Sequence, residues 1–181
     1  MVDDKSEHLN KIRHSASHLL AAAVIKLFPN VKPALGPAIE NGFYYDFDFG
    51  DIQISDQDLL KIEAKMKEIL KSWKNMKGEE ISEDEALHLF EGNEYKIELI
   101  NEILSQGQDL TIYYTTDLES DEDDTKPTTQ DVKLFIDLCK GGHAENPSKE
   151  IGAFKLLSIA GAYWRGDEKN KMLTRIYGSA F

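Results

Sequence analysis

Cysteine is all but absent: Cys139 is the only one in 181 residues. That excludes an internal disulfide and suits a reducing compartment. Long apolar runs are missing too, so no segment reads as a membrane-spanning helix. The opening Met1-Val-Asp-Asp-Lys-Ser-Glu7 has no basic-then-apolar leader pattern. Positive charge is scarce, with 21 Lys and Arg against 33 Asp and Glu and a net charge of −12. Such a field argues against gripping long nucleic acid through its phosphates. The deficit is uneven. Glu119-Ser-Asp-Glu-Asp-Asp124 is almost wholly acidic, whereas residues 151–181 hold Lys155, Arg165, Lys169, Lys171 and Arg175 against Asp167 and Glu168. That segment leaves room for a short nucleic-acid contact. Internal repeats and linker-like stretches are also lacking, so residues 1–181 read as a single domain. The expectation from these absences is a soluble cytoplasmic protein with no membrane partner.

What is present includes enough apolar material for a core, 41% of residues. In residues 8–28, Leu9, Ile12, Ala16, Leu19, Leu20, Ala23 and Leu27 recur at helical spacing as one apolar stripe. Asp4 or Ser6 can cap this helix, and Pro29 lies just past its end. His14 and His18, four positions apart, share one face roughly opposite the Ile12/Ala23 line, beside small Ser17, Ala21 and Ala22. One face is therefore for the core and the other for something that wants two imidazoles. Residues 31–50 switch to period two. Asn41-Gly42 signals a hairpin, and Phe43, Tyr45, Phe47 and Phe49 alternate with Tyr44, Asp46 and Asp48.

Ser55 and Asp58 open a second helix over 56–72, with Leu59, Ile62, Met66 and Ile69 as its stripe and a solvated Lys/Glu face. An extended piece near 76–81 leads to Ser82-Glu-Asp-Glu85, a capping box for a third helix that stops at Gly92. Tyr95–Ile100 reads as a strand, with helical continuation to Leu104 as the alternative, and Leu110–Thr115 as another strand. Residues 116–130, acidic and then Thr/Pro-rich, read as a flexible surface loop. Val132–Leu138 reads as a buried strand delivering Cys139. Within 151–181, residues 154–159 and 162–165 read as consecutive strands turning at Ala160-Gly161, followed by a strand at Met172–Tyr177. The sum is an α+β fold: an antiparallel sheet with helices packed on one face, including a central helix bearing His14 and His18.

Cys139-Lys-Gly-Gly-His143 repeats the i, i+4 separation of the histidine pair, with glycines between. His14, His18, Cys139 and His143 together have the residue types for a tetrahedral zinc site. His14-Ser-Ala-Ser-His18 lacks the Glu of a zinc-protease helix, and Cys139/His143 is no Cys-x-x-Cys knuckle. A metalloprotease and a zinc finger are both weak readings. Without metal, His14, His18, Asp137 and His143 could position a water and shuttle protons. Cys139 would then be a hydrogen-bonding wall, or a nucleophile if His143 lowers its pKa. Blander roles exist for each: Cys139 as a small buried hydrophobe, Asp137 as a strand-end acid, Lys96 as a surface lysine. Gly141-Gly142 is either only a tight turn or a place where a substrate nears the backbone and N–H donors meet an anion.

Four motifs together carry a resemblance. They are Arg13-His-Ser-Ala-Ser-His-Leu-Leu20, Gly36-Pro-Ala-Ile-Glu-Asn-Gly-Phe-Tyr-Tyr-Asp46, Asp137-Leu-Cys-Lys-Gly-Gly-His143 and the run Gly161 to Gly178. Over nearly the whole chain the sequence resembles the editing domain of bacterial-type threonyl-tRNA synthetases. The first and third motifs are shared with alanyl-type editing domains. The resemblance implies hydrolysis of seryl-tRNA(Thr) in a pocket holding His14, His18, Cys139 and His143. It adds Lys96 and Asp137 to these, and it lines the seryl and terminal-adenosine site with Tyr45 and the Gly36-Pro37 turn. It implies the tRNA(Thr) acceptor end as partner, and the synthetase catalytic domain, toward which residues 151–181 would lead; no ATP-binding motif of that domain is in the sequence. The threonyl branch works through ordered water and the alanyl branch holds zinc with the matching residues, so no cofactor is expected to be required and zinc is possible. The alternatives are a zinc-dependent alanyl-type deacylase and a non-catalytic module that binds the tRNA acceptor end.

Overall fold

Helix α1 (Asp4–Leu27) starts earlier than its apolar stripe, so Ser6 lies inside it, and from Ser15 to Val24 it is buried on every side. The apolar stripe accounts for one side. The small residues opposite let other elements come close on the second side. The structure, a computed structural model, describes residues 4–118 and 133–181. Most of the acidic 116–130 stretch, and Val132, lie outside the described residues.

After α1 come β1 (Lys32–Leu35), β2 (Ala38–Ile39) and β3 (Gly42–Asp48), then α2 (Asp56–Leu70). β4 (Asn75–Ile81), α3 (Glu83–Leu89), α4 (Glu94–Ser105), β5 (Leu110–Thr116) and β6 (Phe135–Leu138) follow. The short α5 (Pro147–Glu150), β7 (Phe154–Tyr163) and β8 (Met172–Ala180) complete the order. All pairings are antiparallel. The α+β character is as the sequence predicts, but the strands divide into two sheets. One runs β1-β3-β8-β7 with β2 also on β3, and the other runs β4-β5-β6.

The period-two pattern of β3 holds. Phe43, Tyr45 and Phe47 are fully buried against α1, each contributing on the order of 1.5–3 kcal/mol. The acids on the opposite face are buried as well, because cations and hydroxyls cover them. Arg175 makes a two-pronged contact with Asp46 at 2.7 and 2.9 Å and lies over the Tyr44 ring. Asp48 accepts from Tyr95, Lys171 and the Gly50 N–H at 2.7, 2.8 and 2.9 Å. On α2, Glu63 is buried rather than solvated, accepting from the Leu156 N–H and from Lys67.

Two expectations are corrected. Tyr95–Ile100 is the start of helix α4, not a strand: Asn93 caps it by accepting from the Lys96 N–H, and Tyr95, Lys96 and Ile100 form its buried face. The expected turn at Ala160-Gly161 is instead the middle of one ten-residue strand, with Gly161 in register opposite Thr174. A side chain at Gly161 would meet Met172 Sδ at 2.8 Å, so this glycine makes room for a cross-strand neighbour. The chain turns later, at Trp164–Gly166.

Candidate active site

His14 and His18 stand one turn apart on the buried helix, their rings 5.1 Å apart edge to face. β6 ends at Leu138, and the Cys139 N–H is held by the Thr111 carbonyl of β5 at 3.1 Å. The chain then reverses sharply. Gly141 and Gly142 have φ of +111° and +81°, a left-handed region that side chains other than hydrogen disfavour. This reversal carries His143 back so that its Nε2 sits 3.1 Å from Cys139 Sγ, while its ring stacks on His14 at 3.9 Å. Cys139 Sγ is also 3.5 Å from His14 Nε2. Ser15, the residue after His14, accepts from the Ala144 N–H and touches His143 Nδ1, which fastens this loop to α1.

A second group adjoins the first. Lys96 Nζ, almost fully buried, lies 2.6 Å from Asp137 Oδ1 and donates to Tyr45 Oη at 3.0 Å. Tyr45 in turn donates to Asp137 Oδ2 at 2.7 Å, and the Leu138 N–H donates to Oδ1. Burial first, and the Asp137 charge second, push the Tyr45 phenol well above its usual range, so it remains a donor. His18 Nε2 is 3.6 Å from Asp137 Oδ2, and His18 Nδ1 has no partner among the described residues.

Burial is the main cause that lowers the pKa of His14, His18 and His143, and neighbouring histidines push the latter two further down. All three are neutral at pH 7. Burial also pushes the Cys139 thiol up to about 11, with Asp137 adding to the rise. A neutral His143 gives no push toward thiolate, so the nucleophile role considered for Cys139 lacks its activating condition.

These groups open on a cavity of about 360 Å3. Of the residues predicted from sequence, His14, His18, Gly36, Pro37, Tyr45, Lys96, Asp137, Cys139 and Gly141 line it. Gly142 and His143 do not; they stand behind His14, where the Gly142 carbonyl meets His14 Nδ1 at 3.2 Å. Gly36 is required by contact: a Cβ there would lie 2.0 Å from Tyr45 Cδ2. Its carbonyl is held by buried Ser17 of α1 at 2.8 Å. Sequence reasoning missed the α4 wall, formed by Leu99, Glu102 and Ile103 with Gln106 at the helix end. Their spacing from Lys96 is helical and was readable had the segment been taken as a helix.

The donor set fits a zinc ion. One ligand atom from each of His14, His18, Cys139 and His143 lies within 4.8 Å of the others. In a tetrahedral site with Zn–N about 2.0 Å and Zn–S about 2.3 Å, N and S ligands sit about 3.5 Å apart. The two N···S contacts are 3.1 and 3.5 Å. Neutral imidazoles are the ligating form, and the Gly142 carbonyl and Ser15 hydroxyl stand at the outer ring nitrogens, as second partners of ligating histidines do.

Residues 110–177 match the family described as "Threonyl and Alanyl tRNA synthetase second additional domain". The chain is 51% identical over 177 residues, 97% of its length, to a threonine--tRNA ligase of Borrelia turicatae. It is 47% identical over 184 residues to that of Pelobacter propionicus. Residues 110–177 are thus similar to this second additional domain, and nearly the whole chain is similar to a part of threonine--tRNA ligases. It spans about a quarter of the length of these relatives, 27% and 26%. The stretch matched to the second additional domain contains Asp137, Cys139 and His143, whereas His14, His18 and Lys96 lie before it, in the part matched by the ligases. The site therefore joins the family stretch to the segment that precedes it.

Proposed function

We propose that this domain hydrolyses the ester of seryl-tRNA(Thr), freeing serine from the 3′-terminal adenosine by attack of a positioned water. The observation that carries the reading is the convergence of His14, His18, Cys139 and the buried Lys96–Asp137 pair on one cavity. An aminoacyl ester is already activated, so the protein need supply only a placed water and a contact for the developing oxyanion. His14, neutral and partly exposed, is the group to take a proton from that water. Lys96 offers a fixed positive charge to the ester oxygen or the terminal ribose. Asp137 uses both oxygens on Lys96, Tyr45 and the Leu138 N–H, which makes it a holder of Lys96 rather than a base.

Serine and threonine differ by one methyl, and a single pocket distinguishes such a pair by only about 1–3 kcal/mol. A second, hydrolytic site that admits serine and clashes with the threonyl methyl raises that selectivity. The close seat of Tyr45 on Gly36 forms an unyielding wall of the kind this needs. The net charge of −12 suits contact with the acceptor end alone, with the rest of the tRNA held by the other domains of a synthetase working in the cytoplasm.

The clustered ligand atoms favour a second reading, a zinc-dependent deacylase of the alanyl type. His14, His18, Cys139 and His143 would hold the ion, which would supply a polarised water or a Lewis-acid contact to the ester carbonyl. The deciding experiment is deacylation of Ser-tRNA(Thr), Thr-tRNA(Thr) and Ala-tRNA(Ala), with His14→Ala and Cys139→Ala alongside, on protein purified without added zinc and analysed for metal. Hydrolysis of the seryl ester alone, lost in His14→Ala and unaffected by chelator, is expected. Activity indifferent to both substitutions would remove the site, and stoichiometric metal with chelator-sensitive activity would favour the zinc reading.

A further inference from the structure

Six groups at the site form a continuous hydrogen-bonded chain whose two ends are backbone atoms of fixed role. At one end the Ala144 N–H can only donate, and it donates to Ser15 Oγ at 2.9 Å. At the other the Gly142 carbonyl can only accept, and it stands 3.2 Å from His14 Nδ1. His14 therefore carries its proton on Nδ1, and its Nε2 is a lone pair. That lone pair faces Cys139 Sγ at 3.5 Å, nearer than the other acceptor in reach of the thiol, the Gly141 carbonyl at 3.8 Å. From the Ser15 end, the hydroxyl already accepts from Ala144, and its only other partner among the described residues is His143 Nδ1, at 3.3 Å. Ser15 is fully buried, so no bulk water competes for its proton. The hydroxyl therefore donates to His143 Nδ1, which places the His143 proton on Nε2, directed at Cys139 Sγ at 3.1 Å.

We propose that Ser15 is a positioning residue: by donating to His143 Nδ1 it sets the tautomer of His143, and through Cys139 it orients the proton network that keeps His14 Nε2 unprotonated at the cavity wall, where the long thiol contact gives way to the attacking water. Every donor in the chain then meets one acceptor in a single direction: Ser15 to His143, His143 to Cys139, Cys139 to His14, His14 to Gly142. Without the hydroxyl, His143 is free to protonate Nδ1, its Nε2 becomes an acceptor, and the thiol proton is drawn away from His14 toward His143. His14 Nε2 then loses its fixed partner and the Cys139 sulfur its orientation. The catalytic consequence rests on the deacylase reading above; the tautomer assignment does not.

The test uses chelator-treated full chain carrying 15N-histidine, with long-range proton–nitrogen correlation to read each ring nitrogen. His143 is expected to show an unprotonated Nδ1 and a protonated Nε2, and His14 the reverse. In Ser15→Ala the His143 pattern should invert or become mixed, and Ser15→Thr, which keeps the hydroxyl, should restore it. A protonated Nδ1 on His143 in the unaltered chain overturns the proposal, and that measurement stands even if Ser15→Ala fails to fold. An unchanged His143 pattern in folded Ser15→Ala overturns it equally. Ser15→Ala leaves the His14 tautomer, fixed by the Gly142 carbonyl, unchanged and releases only the thiol held on His14 Nε2. Seryl-tRNA(Thr) hydrolysis should therefore fall by about tenfold in kcat with KM unchanged, far less than the ~10⁴-fold that a wrong tautomer of the base itself costs, and a loss confined to KM would overturn the positioning role. Tautomers as stated in a chain that hydrolyses no aminoacyl-tRNA would support the assignment and overturn the deacylase reading.

Discussion

Gly36 and Lys96 show how closely the site depends on single atoms. A methyl at position 36 would overlap the Tyr45 ring, at 2.0 Å from Cδ2, so the ring must turn or the loop must lift. Either motion separates the Tyr45 hydroxyl from Asp137 and Lys96. Gly36→Ala is expected to destabilise the fold by about 1–3 kcal/mol, an overpacking cost, and to lower the proposed deacylation far more than stability. Thermal unfolding beside the deacylation assay separates the two effects. Lys96→Met leaves buried Asp137 without its cation, which typically costs about 3–5 kcal/mol. Adding Asp137→Leu to Lys96→Met should recover part of that loss. A double variant less stable than Lys96→Met in urea unfolding would show that the pair is not coupled as the 2.6 Å contact indicates.

At the scale of elements, α4 is held by its cap and by ties at its first turns. Asn93 caps it and also donates to the Pro33 carbonyl of β1 at 2.8 Å. Tyr95 reaches Asp48 of β3, and Glu98 accepts from both Trp164 Nε1 and Arg165 Nε. Asn93→Ala should cost about 1 kcal/mol and loosen the end of α4 that carries Lys96, read as a lower urea midpoint and faster amide exchange at Lys96. Asp48 gives a pH signature well away from the histidines. Burial alone would raise its pKa, but hydrogen bonds from Lys171, Tyr95 and the Gly50 N–H outweigh it and hold the carboxyl below the usual 3.8. A folded pKa below the unfolded one contributes stability that is complete above about pH 4 and is lost as pH falls through the lower, folded value. Asp48→Asn is thus expected to be destabilised at pH 7, with the gap from the unaltered chain closing in acid; a gap constant with pH in urea titrations would contradict this.

The same element shows why part of the fold could not be read in advance. Tyr95-Lys-Ile-Glu-Leu-Ile100 alternates well enough to pass as a strand, because a six-residue window samples both periods nearly equally. The cap at Asn93 and the continuation through Ile103 decide for helix, and with them came the whole α4 wall of the cavity. At Ala160-Gly161 the local pattern suggests a turn, but Gly161 lies within a strand and makes space for Met172 across the ladder.

Over the whole molecule, α1 is the common element: it packs on β3 of the five-stranded sheet and on α2, while Ser15 binds the loop that leaves β6 of the other sheet. Its middle, Ser15 to Val24, should be among the last regions to exchange amide hydrogens, together with β3 and β8, whereas β7, an edge strand among the described residues with a largely exposed face, should open earlier. Hydrogen exchange that finds α1 opening before β7 would contradict this account of where the stability lies.

By itself the sequence determined what depends on near neighbours. The imidazole pair on one helical face, the aromatic alternation of β3, the capping boxes at Ser55 and Ser82 and the glycine reversal before His143 all follow from short-range sterics and hydrogen bonding. Tertiary structure alone decided what depends on groups far apart in the chain. It joined Lys96, Tyr45 and Asp137 into one buried cluster, lowered the pKa of three histidines and raised that of a thiol by taking them out of water, and set Ser15 against a residue 128 positions away. Desolvation and long-range contact are properties of packing, and no local pattern of residues contains them.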